Sequence, residues 1–225
     1  MWEFFARSLD ASTIFTIAAL GELIGQRSGI LNVGIEGAML FGATIGFMVA
    51  KVTGSYLLGF LAGIAIGGLI GLLHGFFSIT LGGDQVVNGM GIWILGFGLT
   101  AYIGYTYTGP LGMDRIPDVL GLSPFFFVGI ALIVIAWFVL SKTNLGLRIR
   151  SVGEIPSVAE VSGISVTRTR YISVITSGMF MGMAGASRRL YDPTAQLHNL
   201  PVQGWNVVST YSAYLLALFQ LPFIY

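Results

Sequence analysis

Long apolar runs separated by polar joints dominate the pattern of residues along this chain. A helix needs about 20 mostly apolar residues to cross the hydrocarbon core of a bilayer. The pattern therefore predicts seven spans, at residues 9–25, 30–50, 55–81, 86–107, 122–141, 171–187 and 206–225. We expect an all-α fold, a polytopic transmembrane helical bundle of about seven spans with broken or re-entrant segments where polar residues interrupt the runs.

Two joints are long, residues 108–121 and residues 142–170, and the second decides the predicted orientation. It holds five of the eleven Lys and Arg residues of the chain. Loops rich in Lys and Arg stay in the cytoplasm. We therefore predict a cytoplasmic 142–170 loop and an N-terminus outside. Residues 1–8 lack the features of a removable signal peptide, so the first span is expected to stay as an anchor.

A polar stretch, GELIGQRSGILNVGIEG at residues 21–37, lies between the first two spans. Ionisable side chains at or below the membrane interface are costly and are usually paired or face water. One interpretation is a broken helix beside a translocation path, in which Asn32 and Glu36 offer hydrogen bonds to a polar solute. The other is a short cytoplasmic turn anchored by Arg27. The residues alone leave both open.

A second polar cluster, GGDQVVNGMG at residues 82–91, has the same character. Gln85 and Asn88 stand between long apolar runs, and the alternative is a tight turn in which Asp84 caps the next helix. His74 lies alone inside an apolar run, where a hydrogen-bonded packing role is commoner than proton transfer. The 32 Gly residues of the chain, in particular those at 63, 67, 68 and 71, predict close helix packing.

The 142–170 loop contains a predicted miniature helix. Pro156 suits the first helical position, Gly163 suits the position just past the end, and Val158 and Val161 fall on one side. So short a helix is not stable alone. It is expected to pack either on a cytosolic partner or on the chain's own span ends.

Composition narrows the function. Hydrophobic residues make up 55% of the chain and charged residues 9%, against roughly 25% charged in a soluble domain, so this is a membrane composition. The net charge of +1 gives no basic surplus and excludes nucleic acid as a partner. The chain has no Cys, which excludes disulfides, thiol catalysis and Cys-ligated metals.

No arrangement of residues predicts catalysis, so we expect no enzyme. Neither Lys51 nor Lys142 stands in a phosphate-binding loop for ATP. The residues thus indicate a transporter subunit with a polar path for a small polar solute and a docking loop. The alternative is an ion-coupled secondary transporter or channel in which Glu22, Glu36 or His74 carries the ion.

Three blocks resemble a known family: GELIGQRSGILNVGIEGAMLFGA (21–43), DQVVNGMGIWILGFGLTAYI (84–103) and the segment 143–186. They are similar to the permease subunits of ATP-binding-cassette (ABC) importers for nucleosides and simple sugars, relatives of the ribose and branched-chain amino-acid permeases. The resemblance implies a plasma-membrane importer of a bacterium or archaeon. It implies as partners cytosolic ATPase subunits that bind ATP, a second homologous permease and an extracytoplasmic solute-binding lipoprotein, with no cofactor in this chain.

The resemblance also implies roles for individual residues. Helix 156–162 would be the coupling helix that contacts the ATPase, since Glu154, Ala159 and Gly163 match the family's loop pattern. The full coupling set is Glu154, Pro156, Ala159, Glu160 and Gly163. The N-terminal signature matches at Asn32, Gly34, Glu36 and Gly37. The expected substrate path consists of Glu22, Asn32, Glu36, Gln85 and Asn88.

Two departures from the family pattern stand out. Trp93 occupies a position that usually carries Asn, which predicts the loss of an intramembrane hydrogen-bonding group. After Ala186 the resemblance fades, and Arg188 and Arg189 replace small or apolar residues. We therefore expect residues 1–225 to form a single permease domain that is truncated or diverged after about residue 187.

Overall fold

The computed structural model describes residues 2–107, 116 and 122–191, and this part of the chain is built from α-helices. The described helices are α1 (Trp2–Arg27), α2 (Ile35–Thr53), α3 (Tyr56–Gly75), α4 (Gln85–Tyr107), α5 (Pro124–Lys142), α6 (Asn144–Glu154), α7 (Pro156–Val161) and α8 (Val166–Tyr191). A π-helical turn, Phe76–Thr80, continues α3. By its internal contacts the chain divides into two units, residues 1–193 and residues 194–225. The second unit, with the predicted span 206–225, lies outside the described residues, as does most of the 108–121 joint.

Four described segments are long and apolar enough to cross a membrane: Ile35–Thr53, Tyr56–Thr80, Gln85–Gly104 and Pro124–Lys142. They coincide with four predicted spans, so the prediction of a helical membrane bundle is confirmed. The predicted spans 9–25 and 171–187 lie within α1 and α8, each of 26 residues. At 1.5 Å per residue each is about 39 Å long, enough to cross a bilayer. The total of seven stays a prediction.

The central helix is α8, which packs against α1, α2 and α3. Its backbone meets α3 directly, because a Cβ atom added to Gly67 would lie 2.7 Å from the Cα atom of Gly182. Small residues allow this approach between membrane helices. Ser173 and Ser177 of α8 are almost fully buried. Since much of α8 packs against other helices rather than lipid, the helix needs less hydropathy than a lipid-facing span.

The outer helices α4 and α5 pack mainly on α2 and α1. Contact between α2 and α4 again runs through glycine, because a Cβ on Gly96 would lie 2.6 Å from the Cα atom of Gly37. Ser123 caps α5 by accepting a hydrogen bond from the Phe125 N–H group at 3.2 Å, and Pro124 begins the helix. These contacts fix where the polar side chains of α2 and α4 emerge.

Candidate functional site

Three connecting segments meet at one end of the bundle, which we call the loop end. They are residues 28–34, residues 81–84 and the 142–170 loop. Arg170 Nε donates to the Ser28 carbonyl at 3.3 Å, and the Leu31 N–H group donates to Gln85 Oε1 at 2.8 Å. The hydroxyl groups of Thr80 and Tyr171 form a further hydrogen bond. The polar clusters that the sequence separates by more than 50 residues are therefore neighbours in the fold.

Glu22 and Asn32 hold the 28–34 turn closed. Both side chains are buried, with 7% and 4% exposure. Glu22 Oε1 accepts hydrogen bonds from Gln26 Nε2 at 3.0 Å and from the Asn32 backbone N–H group at 3.2 Å. Asn32 Oδ1 accepts from the Gly34 N–H group at 2.9 Å. Helix α1 is continuous up to Arg27, so this stretch is a short turn between two complete helices.

The buried oxygen Glu22 Oε2 has no hydrogen-bond partner among the described residues. Asn32 Nδ2 contacts the Met181 sulfur of α8 at 3.6 Å. A carboxylate oxygen that is buried without a donor is costly unless it neutralises or meets water. Glu22 Oε1 therefore closes the turn, and Glu22 Oε2 could still accept a hydrogen bond.

His74, Ser78 and Asn88 form a second polar group at the loop end. His74 is fully buried, and its Nε2 atom lies 3.1 Å from the Leu31 carbonyl oxygen, so this nitrogen carries the proton in that hydrogen bond. Asn88 Nδ2 donates to Ser78 Oγ at 3.2 Å. Ser78 lies in the π-helical turn, a feature that is frequent at functional sites. These contacts agree with the packing role predicted for His74, whereas its buried Nδ1 atom has no hydrogen-bond partner among the described residues.

Asp84 caps α4, as one of the two interpretations predicted. Asp84 Oδ1 accepts from the Val86 and Val87 N–H groups, both at 2.9 Å. Gln85, the first residue of α4, bonds to the 28–34 turn through its side chain. The 82–91 cluster therefore begins α4 and also links the start of α4 to the 28–34 turn.

Glu36 and Trp93 form a pair on the outside of the α2–α4 contact. Trp93 Nε1 donates to Glu36 Oε2 at 2.9 Å, and both side chains are exposed. The Phe97 ring lies 6.2 Å from the Trp93 ring, centroid to centroid. The expectation that Trp93 removes a hydrogen-bonding group is wrong, because the indole N–H group supplies one. Sequence reasoning missed Trp93 as a site residue, although its departure from the family pattern marked the position.

The five predicted path residues thus occupy two places. Glu22, Asn32, Gln85 and Asn88 belong to the hydrogen-bonded network at the loop end, where most of their polar atoms bond to other groups of the chain. Glu36 stands apart, in the first turn of α2, with its carboxylate exposed. Within the described ranges no three His, Asp or Glu side chains come together as a metal site requires.

The predicted miniature helix is present as α7. Pro156 occupies its first turn, and Gly163 follows its end with a φ of +81°. The Gly163 N–H group donates to the Glu160 carbonyl at 2.9 Å and the Ile164 N–H group to the Ala159 carbonyl at 3.0 Å. This pair of bonds is the Schellman arrangement that ends many helices. The sequence prediction of the helix and both its ends is confirmed.

Helix α7 buries one side and exposes the other. Ala159 is 2% exposed, whereas Val158 is 59% and Val161 92% exposed. The glutamates Glu154 and Glu160 are also exposed. Preceding α7, helix α6 is held against the end of α1, where a Cβ on Gly153 would lie 3.2 Å from the Gly29 nitrogen. The loop end therefore presents two apolar side chains on α7, next to the firmly packed α6.

The sequence of the chain is similar to those of several known proteins. The chain is 37% identical over 221 residues to a protein of Haloferax volcanii assigned as a glucose ABC transporter permease protein. The aligned segment covers 90% of this chain and 67% of that relative. It is 37% identical over 195 residues to the guanosine ABC transporter permease protein NupQ of Bacillus subtilis, covering 75% of the chain and 61% of the relative. A nucleoside ABC transporter permease protein of Lactococcus lactis is 34% identical over 209 residues, 80% of the chain and 65% of the relative.

The chain thus spans about two thirds of the length of these relatives. No solved structure matches it. The family model described as the branched-chain amino acid transport system / permease component matches residues 4–219. That match extends beyond residue 187, where the sequence resemblance was expected to fade. Since it covers nearly the whole sequence, the chain belongs to this family of multi-pass membrane transport permeases.

Proposed function

We propose that this chain is the membrane-spanning permease subunit of an ATP-driven ABC importer for nucleosides or simple sugars. The observation that carries the proposal is the similarity to three permeases named for glucose, guanosine and nucleosides. ATP is bound and hydrolysed by cytosolic partner subunits, and this chain contributes the passage. A second homologous permease and an extracytoplasmic solute-binding lipoprotein complete the assembly.

Helix α7 is the proposed contact with the ATPase. Its exposed Val158 and Val161 give an apolar surface that would insert into a complementary groove, because exposed apolar side chains on a soluble loop gain stability only when they are covered. Glu154, Pro156, Ala159, Glu160 and Gly163 form and flank this helix. In this arrangement the 142–170 loop is cytoplasmic and the N-terminus lies outside, as the clustering of basic residues supports.

Glu36, with Trp93, is the proposed solute contact. A carboxylate exposed on a membrane span avoids lipid and faces water or a partner. The neighbouring Trp93 and Phe97 rings offer flat apolar faces. Such faces stack on a nucleobase or on the apolar side of a sugar ring, while a carboxylate accepts hydrogen bonds from ribose or hexose hydroxyl groups. The chemistry at this pair therefore fits the solutes of the relatives.

The other predicted path residues have a supporting part in this proposal. Glu22, Asn32, Gln85 and Asn88 would shape the loop end of the path by holding the 28–34 turn against α4. Among the polar atoms of these four residues, Glu22 Oε2 is buried and has no hydrogen-bond partner in the described part of the chain.

Reconstitution of the permease with its partner subunits in liposomes tests the proposal. Uptake of radiolabelled guanosine or glucose should require ATP on the side of the ATPase, and should stop when ATP is replaced by a non-hydrolysable analogue. Glu36→Gln should raise the solute concentration needed for half-maximal uptake while leaving ATP dependence intact. Uptake driven by a proton or sodium gradient without ATP would contradict the proposal. Loss of that gradient coupling in Glu36→Gln would instead support the ion-coupled alternative.

A further inference from the structure

A cavity of about 410 Å³ opens at the loop end, between the start of α6, residues 162–165 and the first turns of α8. Its lining includes none of the residues assigned above to the solute path and one residue of the coupling set, Gly163. Arg148 and Arg168 line the cavity together with Ser162 and Thr169. The remaining wall is mostly apolar, with Leu145, Ile149, Ile164 and Ile172.

The cavity concentrates positive charge without compensation. No acidic side chain is among its lining residues. Both Arg148 and Arg168 are exposed, and in the described part of the chain neither guanidinium group has an ion-pair or hydrogen-bond partner. Two arginines that line one cavity without a carboxylate suit an anion, and the planar donor fork of arginine matches phosphate geometry.

The hydroxyl groups add a second kind of recognition. Ser162 Oγ donates its proton to the Val158 carbonyl at 2.9 Å, and Thr169 Oγ1 donates to the Ser165 carbonyl at 2.8 Å. Each oxygen is therefore left to accept a hydrogen bond from a ligand. The cavity thus offers charged donors for a phosphate and neutral acceptors for a neighbouring hydroxyl group.

The position of the cavity relative to the membrane indicates that the phosphate belongs to a lipid headgroup. At the end of α5, the Lys142 ammonium group lies 5.9 Å from the Trp137 ring centroid. Trp with a basic residue at the end of a span marks the headgroup level of a bilayer. Leu145, which lines the cavity, follows only three residues later and is 46% exposed. Ile172 of α8, which also lines the cavity, is 43% exposed. The apolar wall therefore continues from headgroup depth toward the hydrocarbon.

We propose that this cavity binds the headgroup of an anionic phospholipid. The lipid phosphate lies between Arg148 and Arg168, headgroup hydroxyls donate to Ser162 and Thr169, and an acyl chain follows Leu145 and Ile172. A bound lipid of this kind joins α6 to α8 and so braces the loop that carries α7. The site depends on the membrane location of the chain, and it would exist whichever solute is transported.

Native mass spectrometry of the purified permease, titrated with phosphatidylglycerol or phosphatidylcholine, tests the proposal. Wild-type protein should bind phosphatidylglycerol in preference to phosphatidylcholine. Arg148→Gln or Arg168→Gln should each weaken binding of phosphatidylglycerol about fivefold, and the double variant about 30-fold. Because both side chains are exposed and without partners in the described chain, these variants should stay folded. Arg148→Lys with Arg168→Lys should retain most of the affinity.

Arg188→Gln is the matched control, because Arg188 is exposed in the last turn of α8, away from the cavity at its start. It should leave phosphatidylglycerol binding unchanged. Equal affinities in wild type and the double variant would overturn the proposal. So would displacement of phosphatidylglycerol by millimolar inorganic phosphate, which would make the cavity a site for the free anion. Displacement by the ATPase subunit would overturn it too, since a protein contact would then occupy the cavity.

Discussion

Replacing Gly163 by alanine perturbs the end of α7 and little else. Gly163 has a φ of +81°, and no atom lies within 4 Å of the position where a Cβ would stand. The substitution therefore creates no clash with the rest of the protein. Its cost is conformational, since the left-handed region is unfavourable by roughly 1–2 kcal/mol for a residue with a Cβ.

That cost acts on a helix with little stability of its own. Helix α7 has six residues, and isolated helices of this length do not persist in water. Its end depends on the two backbone hydrogen bonds donated by Gly163 and Ile164. A penalty of about 1–2 kcal/mol shifts the equilibrium between the formed and the unwound tip by about 5- to 30-fold. The exposed Val158 and Val161 would then lose their fixed spacing.

The assay measures ATP hydrolysis and solute uptake together in proteoliposomes. Gly163→Ala should lower the number of solute molecules moved per ATP hydrolysed, while the amount of inserted permease stays unchanged. Gly54→Ala is the matched control, because Gly54 also has a positive φ, +68°, and also has open space around its Cβ position. It follows α2 rather than α7, so its effect on coupling should be negligible.

Two outcomes would refute this reasoning. If Gly163→Ala and Gly54→Ala changed the ratio of transport to hydrolysis equally, the effect would be general and α7 would not be the coupling element. If Gly163→Ala left the ratio unchanged even combined with Glu154→Ala, the assignment of α7 would be wrong. Gly163→Asn provides a further check, because Asn tolerates the left-handed region and should retain more coupling than alanine.

Two further predictions concern the bundle and the Glu36 pair. Gly67→Val should destabilise the protein by about 1–3 kcal/mol or more, since its side chain would enter the α3–α8 contact. Thermal unfolding in detergent measures this loss of stability. Gly98→Val is the control and should destabilise the protein much less, because no atom lies within 4 Å of its Cβ position. Trp93→Phe keeps a ring but removes the donor to Glu36, and should raise the KM for solute uptake about fivefold. An unchanged KM would contradict the proposed solute contact.

Local patterns in the sequence predicted the helices better than their boundaries. The second span was expected from residue 30, yet α2 begins at Ile35. Residues 30–34 are mostly apolar, but the Asn32 side chain bonds to the Gly34 N–H group and turns the chain. By contrast, Pro156 and Gly163 placed both ends of α7 correctly, because each residue acts through its own backbone preference.

Contacts between distant parts of the chain were beyond sequence reasoning. Trp93 and Glu36 are 57 residues apart, and Gln85 lies 54 residues from its partner Leu31. Nothing in either segment alone specifies the other. The central place of α8 was missed for a related reason, since hydropathy measures exposure to lipid and takes no account of burial by neighbouring helices. The sequence therefore located polar residues but could not assign which of them bond to one another.

The glycine contact between α3 and α8 has a mechanical consequence. At this contact no side chain lies between the two backbones, so a tilt of α3 against α8 must first open the contact. Four residues connect the end of α7 to the start of α8. A displacement of α7, the proposed contact with the ATPase, would therefore reach a helix about 39 Å long, whose far end stacks Arg189 on the Phe47 ring at 4.8 Å. The outer helices α4 and α5 pack mainly on α2 and α1 and lie outside this contact.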